Sequence, residues 1–251
     1  MTAAREAPAT NPVVLSIGGL RIATQTVGSG DPVLLLNGMS RPMASWTHLA
    51  RLLEGRRIIS FDSPGVGASA TPFVPYSMRK MADITVRVLD AVGVGRADIV
   101  GYSHGGAIAQ QIAIKHPNRV NRLVLMSTSC GLGAVPGRGS DAKRILMTPL
   151  SEARDTSWGE PQPLGVLWQI VAFSTWTSIP RLGDIDAPTL VITGDNDKAV
   201  PPVNSKLLAE RIHGARLAII RAGHDLQKPG PAARVAELLQ EFFASTPSRL
   251  P

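Results

Sequence analysis

The sequence predicts an α/β protein built on a mostly parallel, twisted sheet with helices on both faces. Short, fully apolar segments alternate with longer stretches of helical periodicity, a pattern typical of parallel strands buried on both sides. Two apolar segments around Gly18 and Gly19 precede this alternation and predict an antiparallel hairpin at one edge of the sheet. One long segment, 131–180, interrupts the alternation and predicts a short helical cap inserted into the core.

Hydrophobic periodicity places the elements of the first half of the chain. Continuous or β-branched apolar runs predict strands at 13–17, 20–26, 32–36, 57–61 and 97–102. Apolar residues spaced three or four apart predict helices at 44–53, 78–92 and 104–115. In the second of these helices Met81, Ile84 and Val88 share one face, as packing of a helix against a sheet requires.

The same criteria place the elements of the second half. Strands are expected at 122–126, 189–193 and 216–220, and helices at 204–212 and 231–243. The intervening segment is rich in Gly, Pro and Ser, with helical character near 164–173. We therefore expect an α/β core formed by 1–130 and 181–251, with a cap at 131–180 lying over the carboxyl ends of the strands.

Composition excludes several functional classes. The net charge of +7 comes from dispersed Lys and Arg residues without interleaved aromatics, so no nucleic-acid partner is expected. The single cysteine, Cys130, excludes a disulfide framework and a thiolate metal cluster. No apolar run reaches the roughly 18–20 residues that a membrane span needs. The N-terminus lacks the apolar region of a signal peptide, so a cytoplasmic location is expected.

The strongest chemical motif is Gly101-Tyr102-Ser103-His104-Gly105, which fits the pattern G-x-S-x-G. It lies between a predicted strand and a predicted helix, the context in which a sharp turn exposes the serine hydroxyl. The alternative is a Gly-rich helix N-terminus in which Ser103 is an ordinary cap. The strand and helix on either side favour Ser103 as a nucleophile.

A serine needs a base, and the base needs an orienting carboxylate. His224 follows a predicted strand late in the chain, where the order Ser, Asp, His puts the base. His104 adjoins Ser103, but its side chain should point away from the hydroxyl. Asp197 is the preferred acid, and Asp195 is the alternative with a turn-capping role. Neighbouring residue Asp225 is expected at the surface.

The remaining parts of the predicted site come from loops and from the insert. The backbone N–H groups of Met39 and His104 are the expected oxyanion donors. The glycine loop 62–69 lacks a phosphate-loop ending and is interpreted as a structural turn bordering the site. Trp168 and Trp176 of the insert are candidates to line an acyl pocket, with plain packing as the alternative. No metal-ligand spacing is present, so neither a metal nor another cofactor is expected.

Taken together, the Asn37-Gly38 loop, the glycine loop, the serine elbow and the late Asp and Gly-His pairs resemble the α/β-hydrolase superfamily. Within it, the chain is similar to the intracellular medium-chain-length polyhydroxyalkanoate depolymerases. The segments that support this closer resemblance are 61–67, 105–111, 135–137, 168–169, 176–179 and 188–191. The resemblance extends over about 32–243.

This resemblance implies an α/β-hydrolase fold and hydrolysis of polyester or oligomeric 3-hydroxyacyl esters at a storage-granule surface. It implies Ser103, Asp197 and His224 as the catalytic triad. The same triad would also serve a general carboxylesterase, a lactonase, a C–C bond hydrolase or a perhydrolase. A non-catalytic binding protein with this fold is a rival of another class, although a binder does not need three aligned reacting groups.

Overall fold

The computed structural model describes residues 11–139 and 162–245. Its strands are β1 (Val13–Ile17), β2 (Leu20–Val27), β3 (Asp31–Leu36), β4 (Arg56–Phe61), β5 (Ala97–Tyr102), β6 (Val120–Met126), β7 (Thr189–Gly194) and β8 (Arg216–Ile220). Its α-helices are α1 (Thr47–Leu52), α2 (Met78–Ala91), α3 (His104–Lys115), α4 (Pro163–Ser174), α5 (Pro202–Arg211) and α6 (Pro231–Ala244). The observed bounds agree with those expected from periodicity to within about three residues.

All of these strands join one sheet in the order β1-β2-β4-β3-β5-β6-β7-β8. Strand β2 pairs antiparallel with both β1 and β4, and the pairs from β4 to β8 are parallel. The predicted fold class and the predicted antiparallel edge are both confirmed. The parallel strands all end at the same rim of the sheet, where α/β proteins form their sites.

Each face of the sheet packs against its own set of helices. Along β3, Leu34 and Leu36 join an apolar cluster with helices α2, α3 and α5. Val33 and Leu35 point to the other face and join a cluster with α1 and α6. Because successive side chains of a strand alternate between faces, a continuous apolar run is what a strand covered on both sides requires.

One predicted helix begins differently. The expected helix 44–53 starts as a 3₁₀ turn over Met43–Trp46 and becomes α-helical only at Thr47. The turn follows Pro42, which has no backbone N–H and therefore cannot donate to the carbonyl of an earlier helical turn. None of the helices in the described ranges is long and apolar enough to cross a membrane.

Helix α4 belongs to the described part of the predicted cap, and it docks closely on the core. The N–H of Gln162 donates to Gly65 O at 3.0 Å, and the backbones of Gly65 and Gly165 touch. A side chain at either glycine would overlap the other glycine's backbone. Residues 140–161 of the expected cap lie outside the described residues, so the division into core and cap stays a prediction.

The glycine loop after β4 is organised by the buried carboxylate of Asp62. Its Oδ1 accepts a hydrogen bond from Met43 N at 2.7 Å, and its Oδ2 accepts one from Ala68 N at 3.0 Å. Burial dominates over these two donors and raises the pKa of Asp62 from 3.8 to about 6. These contacts fit the interpretation of 62–69 as a structural turn.

We expect the wild-type protein to lose stability relative to Asp62→Asn as the pH rises from about 4 to about 7. The folded state holds the Asp62 proton up to a pH of about 6, whereas the unfolded chain releases it near 3.8. Ionisation across this window therefore costs the folded state about 2–3 kcal/mol, and asparagine has no such titration. Urea unfolding of both proteins across these pH values measures the difference. Parallel stability curves would contradict the raised pKa.

Candidate active site

Ser103 occupies the sharp turn between β5 and α3, with φ of 52° and ψ of −117°. Thr128 Oγ1 donates to the Ser103 carbonyl at 2.6 Å, and Ser103 N donates to Met126 O at 2.9 Å. A side chain at Gly101 would lie 2.5 Å from Gly105 O, and one at Gly105 would overlap Leu36 O. The glycines of the motif are therefore steric requirements of the turn.

The side chain of His224 lies between Ser103 and Asp197. His224 Nε2 is 3.2 Å from Ser103 Oγ, and His224 Nδ1 is 2.8 Å from Asp197 Oδ2. With the ring proton on Nδ1, the histidine donates to the carboxylate and presents a free lone pair to the hydroxyl. His224 is 7% exposed and Asp197 is 3% exposed, so bulk water screens these contacts little.

The two candidate acids have different partners. Asp197 Oδ1 accepts from Ala199 N at 3.0 Å and from Val200 N at 2.9 Å, which leaves Oδ2 directed at His224. Asp195 Oδ1 instead accepts from Ala222 N at 3.1 Å and ties together the loops after β7 and β8. The structure thus brings Asp197 to the histidine and gives Asp195 the turn-holding position.

The N–H groups of Met39 and His104 come from the loop after β3 and from the start of helix α3. Both residues line the cavity that contains Ser103 and His224. Neither N–H donates a hydrogen bond to another described residue. His104 is the first residue of helix α3, and the first N–H groups of a helix have no carbonyl acceptor within that helix. The Met39 loop is tight because a side chain at Gly38 would lie 2.9 Å from the Tyr102 ring.

His104 turns its side chain away from the hydroxyl, as expected from the sequence. Its ring lies 6.0 Å from the ring of Phe173, and the residue is 4% exposed. Burial lowers the pKa of His104 from 6.5 to about 4, so its imidazole is neutral at neutral pH. The ring makes no described hydrogen bond to Ser103, which leaves His224 as the histidine in reach.

Asp225 lies only partly at the surface, where the sequence led us to expect it: its side chain is 27% exposed and has two hydrogen-bond partners. Its Oδ1 accepts from Arg41 Nη2 at 2.8 Å and from the Tyr102 hydroxyl at 2.9 Å. Burial opposes its ionisation, but the Arg41 charge and the Tyr102 hydrogen bond hold the pKa of Asp225 below its ordinary value. The Tyr102 ring lies 5.1 Å from the His224 ring, so the cluster of Arg41, Tyr102 and Asp225 packs against the histidine through Tyr102.

A cavity of about 430 Å³ lies beside Ser103. Much of its lining is apolar, formed by Ala134, Val135, Pro136, Ile170, Phe173, Ala199 and Val200. Polar lining comes from Thr128, Ser129, Ser174 and Asn204. Among the described lining residues there is no Asp, Glu, Lys or Arg. The cavity therefore suits an uncharged, largely apolar group.

The expected substrate-binding roles of Trp168 and Trp176 do not match this cavity, because neither is among its described lining residues. Trp168 Nε1 donates to Pro72 O at 3.1 Å, and Trp176 Nε1 donates to Gln111 Oε1 at 2.8 Å. Both rings anchor the insert to the core. Helix α4 instead lines the cavity through Ile170 and Phe173. These two apolar residues are three positions apart and so lie on the same face of the helix, a spacing that could have identified them from the sequence.

No group of three or more metal-binding side chains occurs within 11–139 and 162–245. Cys130, the single cysteine of the chain, is buried. The groups gathered at the rim are a hydroxyl, an imidazole and a carboxylate, with two backbone N–H groups at the same cavity. This arrangement is suited to nucleophilic attack on a carbonyl with proton transfer through the imidazole.

The chain is similar to known proteins in both sequence and fold. Residues 31–157 match the family model described as alpha/beta hydrolase fold. The poly(3-hydroxyalkanoate) depolymerase of Ectopseudomonas oleovorans is 34% identical over 238 residues, which cover 84% of each chain. The 2-hydroxymuconate semialdehyde hydrolase of Pseudomonas sp. (strain CF600) is 30% identical over 260 residues, covering 90% of this chain and 91% of the relative.

Among solved structures, a hydrolase from Pseudomonas aeruginosa PA01 superposes with a TM-score of 0.82 at 25% identity, covering 95% of this chain and 100% of that chain. The sequence similarity and the structural superposition each cover most of the chain, and the family model covers about half of it. The chain belongs to the α/β-hydrolase family.

Proposed function

We propose that this protein is a serine hydrolase that cleaves carboxylic esters through an acyl-enzyme. The observation that supports it most directly is the position of His224, with Nε2 3.2 Å from Ser103 Oγ and Nδ1 2.8 Å from Asp197 Oδ2. These contacts join residues 121 and 27 positions apart in the chain. A protein of this fold that catalyses no reaction would not need these three side chains to be aligned.

In the first half of the reaction, Ser103 Oγ attacks the ester carbonyl carbon while His224 Nε2 accepts the hydroxyl proton. Asp197 stabilises the resulting imidazolium and holds its tautomer. The N–H groups of Met39 and His104 donate to the oxyanion of the tetrahedral intermediate. His224 then protonates the alcohol oxygen, the ester C–O bond breaks, and the acyl group remains on Ser103.

In the second half, a water molecule enters in place of the alcohol. His224 removes a proton from the water as its oxygen attacks the acyl carbon. Collapse of this second intermediate returns the proton to Ser103 Oγ and releases the carboxylic acid. Every proton is accounted for by His224, and no cofactor enters the scheme.

For the substrate class we propose 3-hydroxyalkanoate polyester or its oligomers. Two observations support this choice: the apolar lining of the cavity, and the 34% identity to a poly(3-hydroxyalkanoate) depolymerase. Such an acyl group is uncharged and bears an alkyl chain, which fits a described lining without Lys, Arg, Asp or Glu. The granule surface and the cytoplasmic location stay predictions.

C–C bond hydrolysis is the second candidate, because a 2-hydroxymuconate semialdehyde hydrolase is 30% identical over most of both chains. Its substrate, a muconate derivative, carries a carboxylate. Such a group would find no cationic side chain in the described lining of the cavity. Ester cleavage is therefore the better supported of the two reactions.

Ser103→Ala is expected to lower kcat by a factor of about 10⁴ or more, because it removes the hydroxyl that hydrogen-bonds to His224 Nε2. The far-ultraviolet circular dichroism and the melting temperature should stay close to those of the wild-type protein. A fluorophosphonate probe should label the wild type and not the variant. Labelling of folded Ser103→Ala, or unlabelled folded wild type, would contradict the proposal.

Asp197→Asn is expected to lower kcat by about 10⁴, because the amide favours the wrong histidine tautomer. Asp195→Asn is the matched control two residues away, because its amide oxygen can still accept from Ala222 N and only the charge is lost. It should change kcat by less than about tenfold. Hydrolysis of p-nitrophenyl butyrate measures both variants. The opposite ranking would reassign the acid to Asp195.

Ile170→Trp is expected to shorten the acyl chain that the cavity accepts, because the larger ring would fill space beside Ser103. Its matched control is Val171→Trp, since Ile170 and Val171 are both 37% exposed but only Ile170 is in the described lining. Values of kcat/KM are measured for p-nitrophenyl esters of increasing chain length and for 3-hydroxyacyl oligomers. In Ile170→Trp, kcat/KM should fall more for long esters than for short ones. Equal profiles for the two variants would contradict an acyl group in this cavity.

A further inference from the structure

One buried hydrogen bond joins helix α4 of the insert to the loop that carries the Met39 N–H. Ser40 N donates to Gln169 Oε1 at 2.8 Å, across 129 positions of the chain. Ser40 is fully buried, and Gln169 is 1% exposed. The bond is thus shielded from water, and losing its acceptor would leave a buried N–H without a partner.

The loop needs this contact because its backbone is strained at the same residue. Ser40 has φ of 60°, in the left-handed region that non-glycine residues rarely adopt. Such a conformation persists only when the surroundings hold it. The Ser40 hydroxyl donates to Met39 O at 2.6 Å. Because both residues belong to the loop, this bond does not fix the orientation of the loop relative to the rest of the protein. The Gln169 contact reaches Ser40 from outside the loop.

The position of Gln169 does not itself depend on the loop. Helix α4 is anchored elsewhere by Gln162 N to Gly65 O at 3.0 Å and by Trp168 Nε1 to Pro72 O at 3.1 Å. The inward face of the helix also contains Gly165 against Gly65. Gln169 therefore presents its carbonyl from a docked helix, and the loop adapts to it.

We propose that Gln169 is a positioning residue for the oxyanion site, so that docking of the insert helix orients the Met39 N–H. By holding Ser40 N, Gln169 fixes the orientation of the peptide unit between Met39 and Ser40, which is joined through the Met39 Cα to the unit that carries the Met39 N–H. The N–H of Met39, one residue earlier, is thereby directed toward the carbonyl that Ser103 attacks. This inference rests on the proposed function and adds a coupling between the insert and the chemical step.

The test is Gln169→Leu, which has a similar volume and lacks the acceptor. We expect kcat to fall by about tenfold to a hundredfold while KM changes less than threefold, since a misdirected donor weakens the transition state more than the bound ester. Val171→Ala on the same helix is the control, because its side chain is exposed and is not part of the described cavity lining. It should retain the wild-type kcat.

A transition-state analogue separates positioning from loss of fold. An alkyl trifluoromethyl ketone forms a tetrahedral oxyanion on Ser103, so its affinity should fall by the same factor as kcat/KM in Gln169→Leu. Active-site titration with a fluorophosphonate gives the concentration of folded sites, to which every rate is normalised. A variant that merely unfolds would lose titratable sites while its remaining sites keep the wild-type kcat.

The outcomes distinguish the two proposals. Normalised kcat and ketone affinity equal to those of the wild type in Gln169→Leu would overturn the role of Gln169 and leave the proposed function intact. A folded wild-type protein that neither hydrolyses esters nor reacts with the fluorophosphonate would overturn the proposed function and this inference with it. A parallel fall in kcat/KM and ketone affinity supports the coupling.

Discussion

The left-handed backbone at Ser103 is the constraint on which the candidate site depends. Its φ of 52° and ψ of −117° belong to a region that costs an L-residue about 1–3 kcal/mol. Strand β5, helix α3 and the Thr128 hydroxyl together hold it there. The strain directs Oγ out of the sheet rim and leaves the first N–H groups of α3 beside it. A serine with unstrained backbone angles at this turn would present neither its hydroxyl nor these N–H groups at the rim.

The rest of the candidate triad reaches this hydroxyl because the sheet is parallel. Asp197 follows β7 and His224 follows β8, and parallel strands bring their carboxyl ends to one rim. Side-chain and backbone donors then fix each group's rotation: two N–H groups on Asp197 Oδ1, and the Tyr102 ring against His224. Burial of the set keeps its electrostatic interactions strong, since water screens them little.

Helix α4 shows how one short element can serve several purposes. Successive residues on a helix point about 100° apart, so Trp168, Gln169 and Ile170 face three directions. Trp168 anchors the helix to Pro72, Gln169 accepts from the Met39 loop, and Ile170 lines the cavity. The cavity beside Ser103 and the candidate oxyanion donor are consequently supported by the same helix. A displacement of α4 would disturb both.

The amino-acid sequence was enough to predict the sheet class, most element bounds and the residues that meet at the rim. It could do so because apolar runs report burial on both faces, and because a serine elbow followed by a late Asp and a late His leaves few ways to bring hydroxyl, imidazole and carboxylate together. The choice of Asp197 over Asp195 also followed from the sequence, and in the structure Asp197 is the one that contacts His224.

Tertiary structure alone decided the contacts that depend on how an element is rotated and docked. The pairing of Arg41 with Asp225 spans 184 positions, and that of Ser40 with Gln169 spans 129. Trp168 looked like a pocket residue in sequence, yet rotation of α4 turns its ring toward Pro72 and turns Ile170 to the cavity. Periodicity identifies the buried face of a helix, but which buried neighbour each side chain meets depends on the packing of distant segments.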